Sequence, residues 1–198
     1  MVEAQACGGY DNGQKIDGYV KLNEIAVWQA SMFGEYPRHR GANVMIVDTS
    51  SCTLQEWHNF DTYRERAAAA RLRDYLEGLS DGTVLVGVSC DEASQFLSDA
   101  LPTLSALGAD VSSVGSNGAW VFAAVKGDPS DTVLDKQNTE GEANARQTHI
   151  SITYGNCDIC LPNIIAELGR ALAIVMVTLQ VNGNTQYLRV CPKKLWGR

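Results

Sequence analysis

The residues of this chain that could take part in the most kinds of chemistry are its six cysteines, which can form disulfides, act in redox reactions or bind a metal. They are Cys7, Cys52, Cys90, Cys157, Cys160 and Cys191. An even number spread over the whole sequence is compatible with a disulfide framework, whose pairing the sequence leaves open. The Cys157-Asp-Ile-Cys160 spacing also admits a redox motif or half of a zinc site. A zinc site needs a second tightly spaced ligand pair, whereas Cys191 and the three histidines are scattered. We therefore favour structural or intermolecular disulfides and an oxidising, extracellular location.

The stretch Gly-Ser-Asn-Gly-Ala-Trp at residues 115–120 is a candidate for ligand binding. Small and polar residues lead directly into the apolar run 120–125, which is typical of a buried strand. Gly115 and Gly118 would let backbone amides approach a ligand, and the Asn117 carboxamide both donates and accepts hydrogen bonds. The plain structural alternatives are that Asn117-Gly118 only forms a turn and that Trp120 is a core residue.

The acidic residues show no enzyme signature. Side chains of the adjacent Asp91 and Glu92 diverge, whereas glycoside hydrolysis needs two carboxyl groups roughly 5 to 9.5 Å apart across a sugar. The segment Gly87-Val-Ser-Cys90 lacks the second glycine of a nucleophile elbow. Asp61 is interpreted as structural. The sequence therefore predicts a protein that is not an enzyme and uses no cofactor and no metal ion.

Composition narrows the class of partner. The 198 residues are 45% hydrophobic and 20% charged, which is typical of a globular protein. A net charge of −7 argues against nucleic acid, because phosphate binding depends on clustered Lys and Arg. The longest apolar run, residues 171–177, is far shorter than the roughly 20 residues of a membrane span. We expect no membrane insertion.

Apolar patterns predict a mixed α/β layer over residues 43–125. A capping-box spacing of Thr62 and Glu65 predicts a helix from Thr62 to Leu79. Asp91 is placed to cap a second helical stretch that breaks at Pro102 and stops at Gly108. Strands are predicted at 43–48, 55–60, 83–89 and 120–125. The run 83–89 is nearly all apolar, as in a central strand covered on both faces.

The rest of the chain predicts a β-rich extension. Residues 1–24 are interpreted as an N-terminal arm and 129–147 as a linker or long loop. The extension, 148–198, is predicted to hold a strand at 148–154, a short helix from Pro162 to Gly169, and a hairpin. Strands 177–181 and 185–190 of that hairpin flank Asn182-Gly183, a strong hairpin signal.

Several motifs in order resemble the ILEI/PANDER-like domain, also called the GG domain, over residues 25–128. They are the run 39–48 (HRGANVMIVD), the segment 60–63 (FDTY), the segment 91–94 (DEAS), Leu107-Gly-Ala, Trp120-Val-Phe and Lys126-Gly. The family includes secreted cytokine-like proteins, stretches of cell-surface hyaluronidase-type proteins and the stem domain of an O-mannosyl N-acetylglucosaminyltransferase. The resemblance implies an α+β fold: a compact β-sheet sandwich with flanking helices, extracellular or lumenal, without catalytic machinery.

The resemblance also implies a carbohydrate site. In the stem domain a terminal N-acetylglucosamine is recognised by an Arg beside the Arg-Gly glycine, an Asp, and an Arg in the loop before the Trp. By position these are Arg40, Asp91 and Asn117, so the third residue departs from the pattern and the ligand is in doubt. A guanidinium, a carboxylate and a carboxamide at converging strand ends are groups that bind sugar hydroxyls. Alternatively, Arg40 is an ordinary surface residue and Asp91 only a helix cap.

Two functions follow from these residues. The first is a lectin for terminal N-acetylglucosamine or a related sugar, multivalent through a disulfide-linked homo-oligomer. The second is a secreted cytokine-like or adhesion module that binds a protein receptor. Sugar binding is expected to depend on Asp91 and Arg40, whereas receptor binding could tolerate changes at both.

Overall fold

A computed structural model describes residues 1–6, 10–11, 14–15, 18–30, 39–137, 148–152, 176–181 and 184–189. The chain forms two units, Met1–Tyr154 and Gly155–Arg198. The strands of the first unit are β1 (Val2–Gln5), β2 (Tyr10–Asp11), β3 (Gln14–Lys15), β4 (Tyr19–Leu22), β5 (Ile25–Gln29), β6 (Gly41–Asp48), β7 (Thr53–Phe60), β8 (Val84–Cys90), β9 (Ala119–Val125), β10 (Asp128–Gln137) and β11 (His149–Ile152). Its helices are α1 (Ala68–Gly78) and α2 (Leu101–Ala106). The second unit contributes β12 (Met176–Val181) and β13 (Asn184–Arg189).

Two antiparallel sheets form the body of the first unit. One has the strand order β10-β9-β8-β6-β7, and the other has the order β11-β1-β4-β5. The strands β2 and β3 form a separate two-stranded pair. Two sheets with two short helices confirm the predicted α+β class.

The five-stranded sheet is covered on both faces. Its side chains alternate between two hydrophobic clusters, one shared with α1 and α2 and the other shared with the four-stranded sheet. On β9, for example, Trp120 and Phe122 face the helices, whereas Val121 faces the second sheet. Strand β8 is almost entirely buried, which confirms the expectation drawn from its continuous apolar run.

The predicted start of the first helix at Thr62 is wrong. The Thr62 hydroxyl donates to the carbonyl oxygen of Ala93 at 2.8 Å, so it does not cap the first turn. Helix α1 begins only at Ala68, and no side-chain hydrogen bond caps it. A tertiary hydrogen bond has taken the hydroxyl that the local pattern assigned to capping.

The second helical stretch differs from expectation only at its start. Asp91 lies in the left-handed region with φ of 56° and precedes the helix by several residues, so the predicted cap is wrong. A 3₁₀ turn at Ser98–Ala100 leads into α2, with Pro102 in the first turn, where its missing N–H costs no bond. The predicted division at Pro102 and the stop at Gly108 are confirmed.

Strands occupy the start of the predicted linker and several stretches of the predicted arm. Residues 128–137 form β10, an edge strand paired with β9, so the linker interpretation of this stretch is wrong. An edge strand exposes one side to water and accepts charges and a Pro, which explains why its sequence resembles a loop. Within residues 1–24, strands β1 and β4 bury alternate residues in the second sheet.

Later elements agree where they are described. Strand β11 confirms the strand predicted within 148–154. Strands β12 and β13 pair antiparallel, with Val181 opposite Asn184, which confirms the predicted hairpin. The predicted helix at 162–169 and the Cys157–Cys160 motif lie outside the described residues.

Candidate functional site

The predicted site residues lie on segments that meet at one end of the five-stranded sheet. There β6 begins with Gly41 opposite Cys90, the last residue of β8. Strand β7 ends at Phe60 opposite Ala42, and β9 begins at Ala119. We call this end the loop edge; it comprises Arg40 and the loops 61–67, 91–97 and 115–118. Arg40, Asp91 and Asn117 therefore lie on segments at the same end of the sheet, which the proposed site requires.

Arg40 at the loop edge is buried and paired. Its side chain is 3% exposed, and Nε and Nη2 donate to the two carboxylate oxygens of Asp61 at 3.0 and 2.6 Å. The hydrogen bond to Asp61 raises the pKa of Arg40. Burial alone would raise the pKa of Asp61, but the hydrogen bonds from Arg40 and the Arg64 amide lower it. The structural interpretation of Asp61 fits this two-pronged pair.

The Arg40–Asp61 pair also contacts an exposed aromatic ring, that of Tyr63. The guanidinium carbon of Arg40 lies 4.9 Å from the centroid of the Tyr63 ring, within cation–π range. Tyr63 is 40% exposed, whereas the Phe and Trp side chains Trp28, Phe60, Trp120 and Phe122 are buried. The Arg40 guanidinium therefore packs against the Tyr63 ring, and other parts of that ring are open to solvent.

Gly41 is the glycine that follows Arg40, and the chain geometry requires it. Its φ is +92°, and a Cβ at this position would lie 2.2 Å from the carbonyl oxygen of Phe60. Only glycine allows β7 to leave the sheet so close to the start of β6. The Arg-Gly sequence thus brings the Arg40 and Asp61 backbones together.

Glu92 organises the loop 115–118. One carboxylate oxygen accepts from the Ser94 amide and hydroxyl, both at 2.6 Å. The other accepts from the Ser116 hydroxyl at 2.7 Å and the Asn117 amide at 2.6 Å. Glu92 is 4% exposed, and burial alone would raise its pKa, but these hydrogen bonds lower it. A buried carboxylate therefore fixes the polar loop that precedes Trp120.

Further hydrogen bonds join the remaining loops. The Thr62 carbonyl oxygen accepts from the Phe96 amide at 2.8 Å, beside the Thr62–Ala93 bond, so the loops 61–67 and 91–97 are linked. The Trp120 amide donates to the Ser89 hydroxyl at 2.9 Å, which anchors the end of the loop 115–118 to β8. The three loops form one hydrogen-bonded assembly.

The predicted site residues occupy different positions within this assembly. Asn117 is exposed, and Asp91 is half-buried; both have φ of 56°. Gly118 is buried, and a Cβ there would lie 2.4 Å from the Val114 side chain, so this glycine serves packing rather than ligand approach. Trp120 is 1% exposed and belongs to the core, as its structural alternative held.

Sequence reasoning did not identify Glu92 or Tyr63. The Glu92 bonds to Ser94 are local, but Glu is not among the residue types whose side chains typically form such turns, so the sequence carried no signal for them. The Glu92 bonds to Ser116 and Asn117 span more than twenty residues and had none either. Tyr63 gave no signal because exposure cannot be read from the segment 60–63 alone.

Two cysteines are described, and both are disulfide-bonded: Cys52 and Cys90. Cys90 lies opposite Gly41 at the start of β6, and Cys52 follows the far end of that strand. An eight-residue strand separates them by roughly 25 Å, far beyond the reach of one disulfide. Cys52 and Cys90 are therefore not bonded to each other.

Outside the loop edge, the described part of the chain has few features of a binding site. There, no three His, Cys, Asp or Glu side chains are grouped so that they could share a metal ion. Among the same residues no helix is long and apolar enough to cross a bilayer. A shallow depression of about 430 Å³ lies beyond the other end of β9, between Glu77, Asp81, Pro102 and Lys126. It is remote from the loop edge.

Comparison with known proteins gives a family and two relatives. Residues 40–128 match the family described as "Interleukin-like EMT inducer". The "Cell migration-inducing and hyaluronan-binding protein" of Homo sapiens is 33% identical over 114 residues, and that of Mus musculus is 35% identical over 113. These matches cover 57% and 54% of this chain but only 8% of each relative.

Breaking the Arg40–Asp61 pair is expected to destabilise the fold strongly. Arg40→Ala leaves a largely buried carboxylate without its partner, which costs about 3–5 kcal/mol. Arg73→Ala is the matched control, since Arg73 pairs with Asp74 on the surface, where such a pair is worth about 0–1 kcal/mol. Urea unfolding measures both; equal losses would contradict a structural role for Arg40.

Replacing Glu92 by Gln is expected to change the pH dependence of stability. The folded pKa of Glu92 is lowered, so its contribution is present above the unfolded value of about 4.3 and is lost as pH falls through the folded pKa. Glu92→Gln should cost about 1.5–3 kcal/mol at pH 7. The gap to wild type should narrow below about pH 4.

The matched control is Glu65→Gln, whose carboxylate forms an exposed pair with Arg71 and should cost at most about 1 kcal/mol. Urea unfolding at several pH values gives the profiles. A gap between wild type and Glu92→Gln that stays constant down to pH 2 would contradict the assigned role of the carboxylate.

Proposed function

We propose that the chain, whose residues 40–128 match the interleukin-like EMT inducer family, is an extracellular glycan-binding module. Its ligand site is the loop edge, and its ligand is a terminal N-acetylglucosamine or a related sugar. The module binds and does not catalyse.

The observation that carries the proposal is the fixed loop assembly. Glu92 and Thr62 use buried side chains to hold loops that present Asp91, Asn117 and Tyr63. The backbone at Asp91 and Asn117 is left-handed, a conformation that Asp and Asn adopt more readily than other non-glycine residues, and the hydrogen bonds of Glu92 and Thr62 hold the loops around it. Preorganised loops bind more tightly because little conformational freedom is lost on association.

Each presented group has a role in sugar binding. The Asp91 carboxylate accepts hydrogen bonds from hydroxyl groups, and the Asn117 carboxamide donates and accepts them. The exposed Tyr63 ring offers an apolar surface beside a polar hydroxyl. Arg40 acts as a positioning residue here, because its guanidinium is committed to Asp61 and Tyr63.

The relatives support a glycan ligand in general terms. Both carry hyaluronan binding in their names, and hyaluronan is a glycan. Because the chain spans only 8% of their length, the ligand of the matched segment is part of our proposal. The alternative of a protein receptor has its support in the interleukin-like family and in the cell migration of the relatives' name.

Sugar binding is tested by titrating the protein with N-acetylglucosamine, followed by NMR. We expect saturable, roughly millimolar binding, since a few hydrogen bonds contribute about 1 kcal/mol each. Asp91→Asn and Asn117→Gly should each weaken it several-fold; both replacements tolerate a positive φ, so the loops keep their conformation.

Two controls complete the sugar titration. Asp128→Asn changes an exposed carboxylate beyond the opposite end of β9 and should leave binding unchanged. Galactose should shift fewer resonances than N-acetylglucosamine. If wild type binds neither sugar, or Asp91→Asn binds as wild type does, the protein-receptor alternative becomes the preferred one.

Weak single-site binding makes multivalency useful. Linking several sites can add roughly 10² to 10⁴ in avidity, and we propose a disulfide-linked homo-oligomer. Gel electrophoresis without reductant should show species larger than one chain that collapse to the monomer on reduction. A single monomeric band under both conditions would overturn this part of the proposal.

A further inference from the structure

A cluster of rings lies on the helix-facing side of β7, outside the loop edge. Glu56, His58 and Phe60 alternate along the strand, and Tyr75 of α1 packs against them. The His58 ring centroid is 4.5 Å from that of Tyr75 and 6.4 Å from that of Phe60. The Phe60 and Tyr75 centroids are 5.8 Å apart. We call Glu56, His58 and Tyr75 the β7 shelf.

The β7 shelf is open to solvent. The side chains of His58 and Glu56 are 46% and 56% exposed, and Tyr75 is half-buried. Phe60 is 6% exposed and forms the floor beneath them. Ring faces are therefore accessible above a rigid apolar base.

A carboxylate lies beside these rings. Glu56 Oε2 is 3.3 Å from His58 Nε2 and accepts a hydrogen bond from the Tyr75 hydroxyl at 3.2 Å. Burial and the nearby Glu56 raise the pKa of Tyr75, so its phenol keeps its proton at neutral pH. An acceptor, a hydroxyl and ring faces in one place are the components of a sugar subsite.

The shelf is continuous with the loop edge along β7. The strand ends at Phe60, and the next residue is Asp61, the partner of Arg40. At about 3.3 Å per residue, His58 lies roughly 10 Å and Glu56 roughly 17 Å from Asp61 along the chain. A short oligosaccharide spans that distance, whereas a single sugar does not.

We propose that the β7 shelf is a second subsite for the ligand of the loop edge, so that the chain binds a linear oligosaccharide of uncharged sugars rather than one terminal sugar. The inference rests on the proposed function. The Glu56 carboxylate and the net charge of −7 disfavour acidic sugars along this path. If the rings only covered the contact between α1 and β7, they would affect stability and not the dependence of affinity on ligand length.

The test compares N-acetylglucosamine with its β-1,4-linked tetramer by NMR or calorimetric titration. We expect wild type to bind the tetramer roughly five- to tenfold more tightly, the gain of about one stacked ring. His58→Ala should remove most of this gain without changing the affinity for the monosaccharide. Tyr75→Phe keeps the ring and removes the hydroxyl, so it should lose only part of the gain.

The control variant is Gln55→Ala, an exposed neighbour on the same strand that lies off the shelf; it should keep the full gain. A hyaluronan tetrasaccharide, which is acidic, should bind no more tightly than the monosaccharide. Equal affinity of wild type for monomer and tetramer, or an undiminished gain in His58→Ala, overturns this inference alone. Tighter binding of hyaluronan than of the uncharged tetramer overturns the choice of uncharged sugars, and no binding of any of these sugars overturns both proposals.

Discussion

Burial of the central strands on both faces is the constraint on which the rest of the first unit depends. Strands β8 and β9 are enclosed between the helices and the second sheet, so all their side chains are buried except those of the end residues Val84 and Val125, which are half-buried. Polar groups that remain inside must be paired, because an unpaired buried group costs about 1–3 kcal/mol. Ser89 satisfies this by accepting from the Trp120 amide. Groups that bind a partner are therefore confined to strand ends and to the edge strands.

Buried polar side chains of the five-stranded sheet also hold the backbone of the loop edge in place. Asn43, fully buried on β6, donates to the His39 carbonyl oxygen at 2.7 Å and accepts from Asn59 at 3.0 Å. Asn59 also donates to the Arg40 carbonyl oxygen at 2.9 Å. The backbone on both sides of the Arg40–Asp61 pair is thus held by the sheet interior. The charges of the pair are placed by the core and need no contribution from a ligand.

Sequence patterns predict the interior better than the edges. Apolar runs located β6, β8 and β9 because burial on both faces leaves a direct compositional signal. The edge strand β10 was interpreted as a linker because one side of it faces water, so its composition resembles that of a loop. The predicted start of the first helix was wrong for a related reason. The Thr62 hydroxyl, expected to cap that helix, donates instead to the carbonyl oxygen of Ala93, thirty-one residues away. Tertiary hydrogen bonds decide such positions, and local spacing does not record them.

At the loop edge the sequence located the strand ends that carry Arg40, Asp91 and the loop 115–118, but an unknown strand order left their meeting a condition rather than a prediction. Nor did it predict how the side chains pair: Arg40 donates to Asp61, and Glu92, which was passed over, holds the loop 115–118.

The pairing of Arg40 with Asp61 affects which class of ligand the loop edge can bind. With Arg40 neutralised by Asp61, and with Asn117 where the stem domain that the chain resembles has an Arg, no unpaired cation is assigned to the proposed contact set of Asp91, Asn117 and Tyr63. Asp91 gives that set a negative charge, which repels carboxylates. The loop 61–67 also carries Arg64 and Arg66, both exposed, so the charge of the whole loop edge is mixed and the preference for a neutral sugar is confined to those three contact residues.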